Sequence, residues 1–430
     1  MNIIINPPRN EWTALLQRPV LDHFTLETAV QEVLNQVKKN GDKALVELTR
    51  RFDGVLLKDI KVSNTEVAAA EQALAAELKT AIIQAKQNIE KFHTAQLQAV
   101  IKMETMPGVQ CWRKSIGIEK VGLYIPGGSA PLFSTVLMLG IPAVLAGCKE
   151  IVLCTPPGKD GNIHPAVLYA AKIAGITQVY KAGGAQAIAA MAYGTETIPA
   201  VYKIFGPGNQ YVTCAKQLVQ RDGIAIDMPA GPSEVCVLAD ETANAAYVAA
   251  DLLSQAEHGP DSQVLLVSTS AAMTEKIIKE KKNQLDALPR KNIAAQALAN
   301  SKAIIVKNMA DALALINAYA PEHLIISCEN DEAIAEQVMN AGSIFLGNYS
   351  PESAGDYASG TNHTLPTDGY AKVYSGVSVD SFVKKITYQK LTREGLKNIA
   401  STVISMAEAE GLQAHANAVK VRIEGVSGKS

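Results

Sequence analysis

Hydrophobic positions from about Val121 onward fall in short runs of β-branched and other apolar residues, separated by alanine-rich segments of helical character. One group of runs ends near residue 205, and a second begins near residue 235. Strands that alternate with helices predict parallel sheets covered on both faces, so we predict two such sheets. In order, the predicted strands are VGLYI, EIVLC, TQVYK and VYKIF, then EVCVLAD, SQVLLVST, AIIV, HLIIS and SIFLG.

The first hundred residues follow helical spacing. Apolar residues of segment 30–37 recur every three to four positions, Asn40-Gly41 ends that helix, and Asp42 can cap the next one. An alanine-rich stretch then predicts one helix over roughly Thr65 to Gln98.

A long polar segment, residues 349–377, has no periodic apolar pattern and is rich in Gly, Ser, Thr, Tyr, Pro and Asp. So long a stretch in a compact protein is usually functional or disordered, and its aromatic residues favour the functional alternative. Two amphipathic helices are predicted after it, over about Asp380–Lys390 and Leu396–Glu410, before a short tail that carries His415.

Length and composition limit the class of protein. The chain has 430 residues, too many for one hydrophobic core, and a formal net charge of −2. That charge gives no general attraction to nucleic acid or to an anionic membrane, so we expect a small-molecule partner. The longest apolar stretch, Ser134 to Cys148, is shorter than the about 20 residues of a membrane span and is expected to be a core helix.

The cysteines and the N-terminus indicate a cytoplasmic protein. The six cysteines include no CxxC pair, which argues against a zinc ribbon, a redox motif or a disulfide framework. The N-terminal run MNIIINPPRNEW has no basic region, and its apolar part is too short for a signal peptide. We therefore expect reduced thiols in a cytosol.

Three glycine-rich turns each follow a predicted strand and open a helical segment. Backbone N–H groups at such helix starts form a site for a phosphate group. None of the turns is a GxGxxG motif. The turn FGPGNQY has the first two glycines, but Tyr211 occupies the position of the third. Tight βα turns alone are the alternative, but three along one sheet edge favour a nucleotide or phosphate site. The turns are IPGGSAP (125–131), KAGGAQAI (181–188) and FGPGNQYV (205–212).

Gln255 and His258 lie three residues apart at the end of a predicted helix over 245–257, so they share a face and can bind one ion. A histidine at a helix end is often only a cap. Histidines and carboxylates recur together in other polar segments, however, and such nitrogen and oxygen ligands suit zinc better than magnesium. No HExxH motif occurs, so the site would assemble from distant segments. The histidines are His258, His323, His363 and His415, with Glu257, Glu322, Asp356 and Glu410 as the carboxylates.

Glu322 and His323 are adjacent in PEHLII. Adjacent residues of a strand or a helix point apart, so a shared role requires a turn before the LIIS strand. The alternative is that each is an ordinary residue at a strand edge.

Several of these segments together resemble the histidinol dehydrogenase family. The matching runs extend over nearly the whole chain in the family's order and spacing, and they include the late His415. The longest are IDMPAGPSEVCVLAD (226–240), VAADLLSQAEHGPDSQ (248–263), YAPEHL and SPESAGDYASGTNH. The resemblance implies a homodimeric enzyme with one zinc ion per subunit and NAD as hydride acceptor. Its reaction would be the last steps of histidine biosynthesis, from L-histidinol through L-histidinaldehyde to L-histidine.

The resemblance also implies roles for individual residues. The acid–base pair would be Glu322 and His323. The NAD contacts would be Tyr124, Gln186 and Asn209. The zinc ligands would be Gln255, His258, Asp356 and, from the second subunit, His415. The substrate-binding positions would be Ser233, Gln255, His258, His323, Asp356, His363, Glu410 and His415.

The fold implied by the resemblance is α/β, with two incomplete Rossmann-like domains, parallel-rich sheets and small terminal extensions exchanged across the homodimer. The implied divisions are an N-terminal extension (1–23), a first domain with most metal and catalytic residues (24–123 and 235–376), a second domain with the NAD-binding turns (124–234), and a C-terminal helical extension that reaches the partner subunit (377–430).

The residue types suit this reaction. His323 is the natural base for the alcohol, since an imidazole titrates near neutrality, and Glu322 could deprotonate the water that hydrates the aldehyde. Zinc would mainly orient the substrate.

Three alternatives stay open at the level of the sequence. A cysteine could form a thiohemiacetal, but no cysteine adjoins a histidine, and four of them lie in apolar runs that predict burial. If the protein were a zinc hydrolase, turnover would not require NAD and the glycine-rich turns would have no assigned function. A non-catalytic binding protein predicts binding without turnover. The four cysteines are Cys148, Cys154, Cys236 and Cys328.

Overall fold

The structure is a computed structural model that describes residues 1–18, 23–127, 131–229 and 231–425. Contacts between residues divide the chain into two compact units. The larger unit consists of Met1–Gln96 and Ile118–Phe382, and the smaller of Leu97–Gly117 and Val383–Ser430.

Strands and helices alternate through most of the larger unit. The elements of both units are numbered together here in chain order. The strands are β1 Asn2–Ile5, β2 Lys102–Met106, β3 Val109–Gly117, β4 Lys120–Tyr124, β5 Glu150–Thr155, β6 Gln178–Lys181, β7 Lys203–Phe205, β8 Ala225–Ile226, β9 Glu234–Ala239, β10 Gln263–Ser268, β11 Lys302–Ile305, β12 His323–Ser327, β13 Ser343–Leu346 and β14 Val383–Leu391. The helices are α1 Trp12–Leu15, α2 His23–Phe52, α3 Asn64–Ala73, α4 Ala76–Thr94, α5 Phe133–Leu145, α6 Pro165–Ile173, α7 Gly184–Tyr193, α8 Gln210–Arg221, α9 Ala245–Ala256, α10 Ala271–Ala287, α11 Lys291–Ala299, α12 Met309–Tyr319, α13 Asp331–Ala335, α14 Glu352–Tyr357, α15 Arg393–Ala409 and α16 Gln413–Glu424. Short 3₁₀ turns lie at Arg9–Glu11, Tyr370–Lys372 and Val379–Phe382.

The larger unit contains the two predicted parallel sheets. One has five strands in the order β6-β5-β4-β7-β8, and the other has six in the order β1-β11-β10-β9-β12-β13. Every pairing within both sheets is parallel. All nine predicted strands are present, which confirms the α/β class and the parallel-rich sheets. The edge strand β1 was not predicted, because four residues before a proline pair carry too little pattern.

Both sheets are buried on both faces, which explains why their strands are nearly continuous apolar runs. Leu123 and Tyr124 are consecutive in β4, yet they belong to hydrophobic clusters on opposite faces of the five-stranded sheet. Val235 and Cys236 divide in the same way between the two faces of β9.

The predicted N-terminal helices needed one correction. Gly41 does interrupt α2, with a φ of 52° that favours glycine. The single helix expected over Thr65 to Gln98 is in fact α3 and α4, separated where Leu74 takes an extended conformation with a ψ of 138°. Ser63 and Glu66 form a capping box that begins α3.

The smaller unit contains an antiparallel sheet in the order β14-β3-β2. The helix predicted over Asp380–Lys390 is therefore wrong, since residues 383–391 form β14. Its residues follow a period of two: Tyr388 lies two positions after Ile386, and its ring stacks on Trp112 with ring centroids 5.4 Å apart. The helix predicted over Leu396–Glu410 is confirmed as α15.

None of the helices within the described residues is both long enough and apolar enough to cross a membrane.

Candidate active site

The predicted acid–base pair lies where β12 begins. Glu322 occupies a bend directly before the strand, and His323 is the first residue of the strand. The bend removes the alternation of a regular strand, so His323 Nδ1 and Glu322 Oε2 lie 3.6 Å apart. Both side chains are about 95% buried. The structure therefore brings together two adjacent residues that a continuous strand would point apart.

Burial changes the proton affinity of both groups. It raises the pKa of Glu322 well above its ordinary value, and the charges of Glu234 and Asp356 add to that rise. It lowers the pKa of His323 to about 4, partly offset by the Asp356 carboxylate. His323 is thus a neutral imidazole at neutral pH, able to accept a proton, and Glu322 is a stronger base than an exposed glutamate.

A group of metal-binding side chains surrounds His323. Ligand atoms of His323, Glu352 and Asp356 all lie within 4.8 Å of one another. His323 Nδ1 is 3.4 Å from Glu352 Oε1, and His323 Nε2 is 3.8 Å from Asp356 Oδ1. Glu352 and Asp356 stand four residues apart in α14, so they share a face of that helix.

The two histidines predicted beside this group are present at its edge. His363 Nδ1 lies 2.9 Å from the main-chain oxygen of Asp356, and its Nε2 is 3.0 Å from Thr135 Oγ1. His258 lies two positions after the end of α9 and is exposed overall. Partial desolvation lowers the pKa of its imidazole, while the Asp356 carboxylate raises it and His363 lowers it.

Several buried polar atoms at this site have no hydrogen-bond partner. They include both side-chain amide atoms of Gln255, which is fully buried, the Nε2 of His323 and both carboxylate oxygens of Glu352. Buried polar groups are nearly always paired, because an unpaired one loses its water without compensation. Orphaned nitrogen and oxygen atoms from three separate segments are what a bound ion would satisfy.

Ser233 lies in the segment before β9 and lines a small cavity of about 30 Å³. Glu322 and His363 line the same cavity, so Ser233 lies close to one member of the acid–base pair. The substrate-binding role implied for Ser233 stays a prediction.

The predicted cofactor residues line a larger cavity of about 1300 Å³ at the carboxyl edge of the five-stranded sheet. Tyr124 ends β4, Gln186 lies in the first turn of α7, and Asn209 caps α8. The Gly184 N–H donates to Tyr124 Oη at 3.0 Å, so the tyrosine is held against the start of α7. Ligands of open parallel sheets bind at this edge, and helix starts there attract phosphate groups.

Two of the glycine-rich turns have the geometry of a tight turn between a strand and a helix start. In FGPGNQYV, a Cβ on Gly206 would lie 2.1 Å from the Tyr124 carbonyl oxygen, and its φ of 131° also favours glycine. Asn209 Oδ1 accepts from the N–H groups of Tyr211 and Val212 at 3.1 and 3.2 Å. In KAGGAQAI, Gly183 and Gly184 begin α7. Residues 128–130 of the first turn, IPGGSAP, lie outside the described residues.

Glu410 and His415 belong to the smaller unit. Glu410 directly follows α15, His415 lies in the first turn of α16, and both are exposed. Their predicted contacts with substrate and zinc depend on a second subunit and stay predictions.

The cysteines do not have the properties of catalytic nucleophiles. Cys154, Cys236 and Cys328 are buried as expected, whereas Cys148 is only partly buried. Burial raises the pKa of these four thiols above the ordinary value, so they hold their protons at neutral pH.

Two contributors to the site were missed from the sequence. Glu352 is a potential metal ligand, and its signal was a carboxylate one helical turn before Asp356 in SPESAGDY. Glu234 contacts the acid–base pair, but its position inside the apolar run EVCVLAD gave no sign of this.

Comparison with known proteins gives one consistent result. A family model for histidinol dehydrogenase matches residues 16–423. The chain is 60% identical over 423 residues to a histidinol dehydrogenase of Bacteroides thetaiotaomicron, covering 98% of this chain and 99% of the relative. It is 54% identical to one of Vibrio parahaemolyticus, covering 96% and 95%. The crystal structure of histidinol dehydrogenase from Elizabethkingia anophelis superposes with a TM-score of 0.97 at 57% identity, covering 100% and 99%.

Proposed function

Because the chain belongs to the histidinol dehydrogenase family, a family of oxidoreductases, we propose that it oxidises L-histidinol through L-histidinaldehyde to L-histidine. In this proposal NAD accepts the hydride in both oxidations, and each subunit of a cytoplasmic homodimer holds one zinc ion. The observation that carries the proposal is the buried pair of Glu322 and His323 beside orphaned nitrogen and oxygen donors.

The residues present fit a zinc ion. The Gln255 amide, the His258 imidazole and the Asp356 carboxylate would hold it, with His415 of a second subunit as the fourth ligand. Nitrogen and oxygen donors of this mixture suit zinc, and the unpaired amide atoms of Gln255 support the assignment. When bound, zinc would supply a fixed positive charge that orients the nitrogen atoms of the substrate.

Glu352 is a further donor at the same place. Its carboxylate lies 3.4 Å from His323 Nδ1, and both its oxygens are buried and unpaired. Burial raises its pKa well above the ordinary value, and the Asp356 and Glu322 charges add to the rise. A positive charge arriving at the site would lower that pKa, so Glu352 would become charged as ligands bind.

In the first oxidation, His323 takes the proton of the substrate hydroxyl as hydride leaves the carbon that bears this hydroxyl. Its low pKa in the buried site keeps the imidazole neutral and ready to accept that proton. The product is the aldehyde.

In the second oxidation, Glu322 takes a proton from the water that adds to the aldehyde carbon. A carboxylate whose pKa burial has raised is basic enough for this step. His323, after releasing its first proton to solvent, takes a proton from the resulting hydrate as the second hydride leaves to a second NAD. Because Glu322 has taken the other proton, the product is the carboxylate of L-histidine. Ser233, His363 and Glu410 would hold the substrate in place.

The hydride acceptor would occupy the 1300 Å³ cavity against Tyr124, Gln186 and Asn209. The starts of α7 and α8 line this cavity, and their helix dipoles would attract a diphosphate without a GxGxxG motif. We also propose that the C-terminal extension 377–430 reaches across the dimer, around domains formed by 24–123 with 235–376 and by 124–234. The N-terminal extension, 1–23, is better placed within its own chain, since β1 pairs with β11 and Arg18 binds Glu234.

The proposal is tested by incubating purified protein with L-histidinol and NAD and identifying the products. Formation of NADH and L-histidine supports the proposal. Turnover of a histidine derivative without NAD would instead indicate the zinc hydrolase, and binding of L-histidinol without turnover would indicate the binding protein.

A further inference from the structure

We propose that Glu234, held in place by Arg18, is a positioning residue that fixes Glu322 and His323 in their reactive arrangement. The inference rests on the proposed function for the reaction it serves. Its structural basis is a set of hydrogen bonds and ion pairs beneath the acid–base pair.

Glu234 and Glu322 form a reciprocal contact between neighbouring strands. Glu234 begins β9, and Glu322 directly precedes β12, which pairs with β9 in parallel. The Glu234 N–H donates to Glu322 Oε2 at 2.9 Å, and the Glu322 N–H donates to Glu234 Oε1 at 3.3 Å. Each residue thus binds the main chain of the other through its carboxylate. This fixes the orientation of the Glu322 side chain.

The same residue also contacts His323. The Glu234 main-chain oxygen lies 3.3 Å from His323 Nδ1, the nitrogen that faces Glu322 and Glu352. Glu234 therefore contacts both members of the acid–base pair.

Arg18 fixes the Glu234 carboxylate itself. Arg18 Nε and Nη2 donate to the two Glu234 oxygens at 2.6 and 2.7 Å, a bidentate pair, and Nη2 also donates to the Tyr319 main-chain oxygen at 2.9 Å. The guanidinium lies 4.0 Å from the Tyr319 ring centroid, and the Tyr319 hydroxyl lies 3.3 Å from Glu234 Oε2. Arg18 Nε also lies 3.8 Å from Asp368 Oδ1. The Tyr319 hydroxyl donates to Gln263 Oε1 at 2.8 Å.

The charge of Arg18 explains why this arrangement is stable. Two buried carboxylates in contact repel each other when both are ionised, and Glu234 is 99% buried. Burial raises the pKa of Glu234, and the Arg18 guanidinium opposes that rise and so favours the charged carboxylate beside Glu322. A buried carboxylate without this partner would be strongly unfavourable.

Glu234 and Arg18 lie outside the lining of the small cavity beside Glu322. Among the described residues, the small cavity beside the acid–base pair is lined by Ser233 and Glu322 and not by Glu234 or Arg18. Neither residue would then touch substrate, so their effect on the reaction passes through the positions of Glu322 and His323.

The experiment compares the zinc-loaded wild type with Glu234→Gln. A carboxamide has one acceptor oxygen. With that oxygen at the Oε2 position its NH₂ group faces the Glu322 N–H, and with the oxygen at the Oε1 position its NH₂ group faces Arg18 Nε, so either orientation breaks one of the contacts that fix the pair. We expect kcat to fall about 10- to 100-fold, as for a small misplacement of catalytic groups, while the KM values for L-histidinol and NAD change by less than about threefold. Amide hydrogen exchange in the peptide that contains Glu322 and His323 should become faster.

Ser301→Ala is the matched control. Ser301 Oγ accepts from the Val264 N–H at 3.0 Å and donates to the Ala297 oxygen, a buried side-chain contact at the start of other strands in the same sheet. Its loss should lower the Tm without changing kcat or the exchange of the Glu322 peptide.

Arg18→Lys provides a second variant that keeps the charge but loses the bidentate contact. Its kcat should lie between those of the wild type and Glu234→Gln. Wild-type kcat and wild-type exchange in folded Glu234→Gln would overturn the positioning role, and so would an equal loss of kcat in Ser301→Ala. A wild type that forms no NADH would instead overturn the proposed function, and the exchange data would then decide the positioning role by themselves.

Discussion

Glu322 Oε2 and His323 Nδ1 lie 3.6 Å apart, although consecutive residues of a strand point in opposite directions. The contact exists because β12 begins at His323 and leaves Glu322 at a bend. Two groups with opposite pKa shifts are thereby placed side by side. This arrangement supports the proposal that His323 is the base in both oxidations and that Glu322 is a base only in the hydration step.

The separate roles of this pair can be measured with Glu322→Gln and His323→Asn. His323→Asn should lower kcat for both oxidations by about 100- to 10,000-fold, the usual contribution of a general base. Glu322→Gln should slow only the hydration step, so that L-histidinaldehyde accumulates. Chromatography of the products separates the outcomes, and equal loss of both oxidations in Glu322→Gln would contradict its assigned role.

Gln255→Leu should change stability in opposite directions with and without metal. In metal-free protein the buried amide has two unpaired atoms, each costing about 1–3 kcal/mol, so the leucine variant should have the higher Tm. Added zinc should raise the Tm of the wild type and have little effect on the variant. The same zinc-induced shift in both proteins would show that Gln255 is not a ligand.

Asp251→Asn should alter the dependence of stability on pH in metal-free protein. Burial raises the pKa of Asp251 from 3.8 to about 7. A carboxyl whose pKa is higher in the folded than in the unfolded protein contributes fully to stability at pH values below its unfolded pKa. That contribution is lost as the pH rises through the pKa of the folded protein. The variant should therefore be more stable than the wild type above about pH 7, by up to about 4 kcal/mol. Denaturant unfolding at a series of pH values measures the difference, and parallel curves for the two proteins would exclude the effect.

Tyr124→Phe should weaken NAD binding more than catalysis. The variant loses the hydroxyl that accepts from the Gly184 N–H at the start of α7. We expect the KM for NAD to rise about three- to tenfold, equivalent to one ordinary hydrogen bond, with kcat nearly unchanged. Tyr180→Phe is the control, since Tyr180 is buried in the same sheet and its hydroxyl donates to Gln178. Equal effects of the two substitutions would indicate a general loss of packing.

The intersubunit role of His415 can be tested by mixing two inactive proteins. His415→Ala and Glu322→Ala should each fail to form L-histidine alone, and L-histidine is therefore the product that is measured. In a mixed dimer one site would contain an intact Glu322 and the intact His415 of the other subunit, so equal mixing should restore about one quarter of wild-type activity. No recovery in mixed dimers that are shown to form would place His415 in the site of its own subunit.

Nine strands of the larger unit could be predicted because burial on both faces makes them continuous apolar runs, whereas the short edge strands β1 and β8 could not. The strand β14 could not, since it is exposed and its mixture of lysines with Ile386 and Tyr388 also fits an amphipathic helix. The break between α3 and α4 was missed for a related reason: alanine-rich sequence continues on both sides of Leu74 without a proline or a glycine.

The site could be predicted where polar residues interrupt an apolar pattern, as at Gln255 and His258. Glu234 was not recognised, because its partner Arg18 is 216 positions away in sequence and only the fold brings them together. Long-range ion pairs of this kind leave no local pattern. Glu352 was missed because its neighbour Asp356 already accounted for the carboxylate of the segment.

The most direct test of the account is the amount of NADH formed from limiting L-histidinol with excess NAD, followed to completion with and without a chelator and added zinc. The account predicts about two NADH per L-histidinol, lost when metal is removed and regained with zinc. About one NADH per L-histidinol would contradict the hydration step assigned to Glu322, and none from folded, zinc-loaded protein would contradict the proposed function.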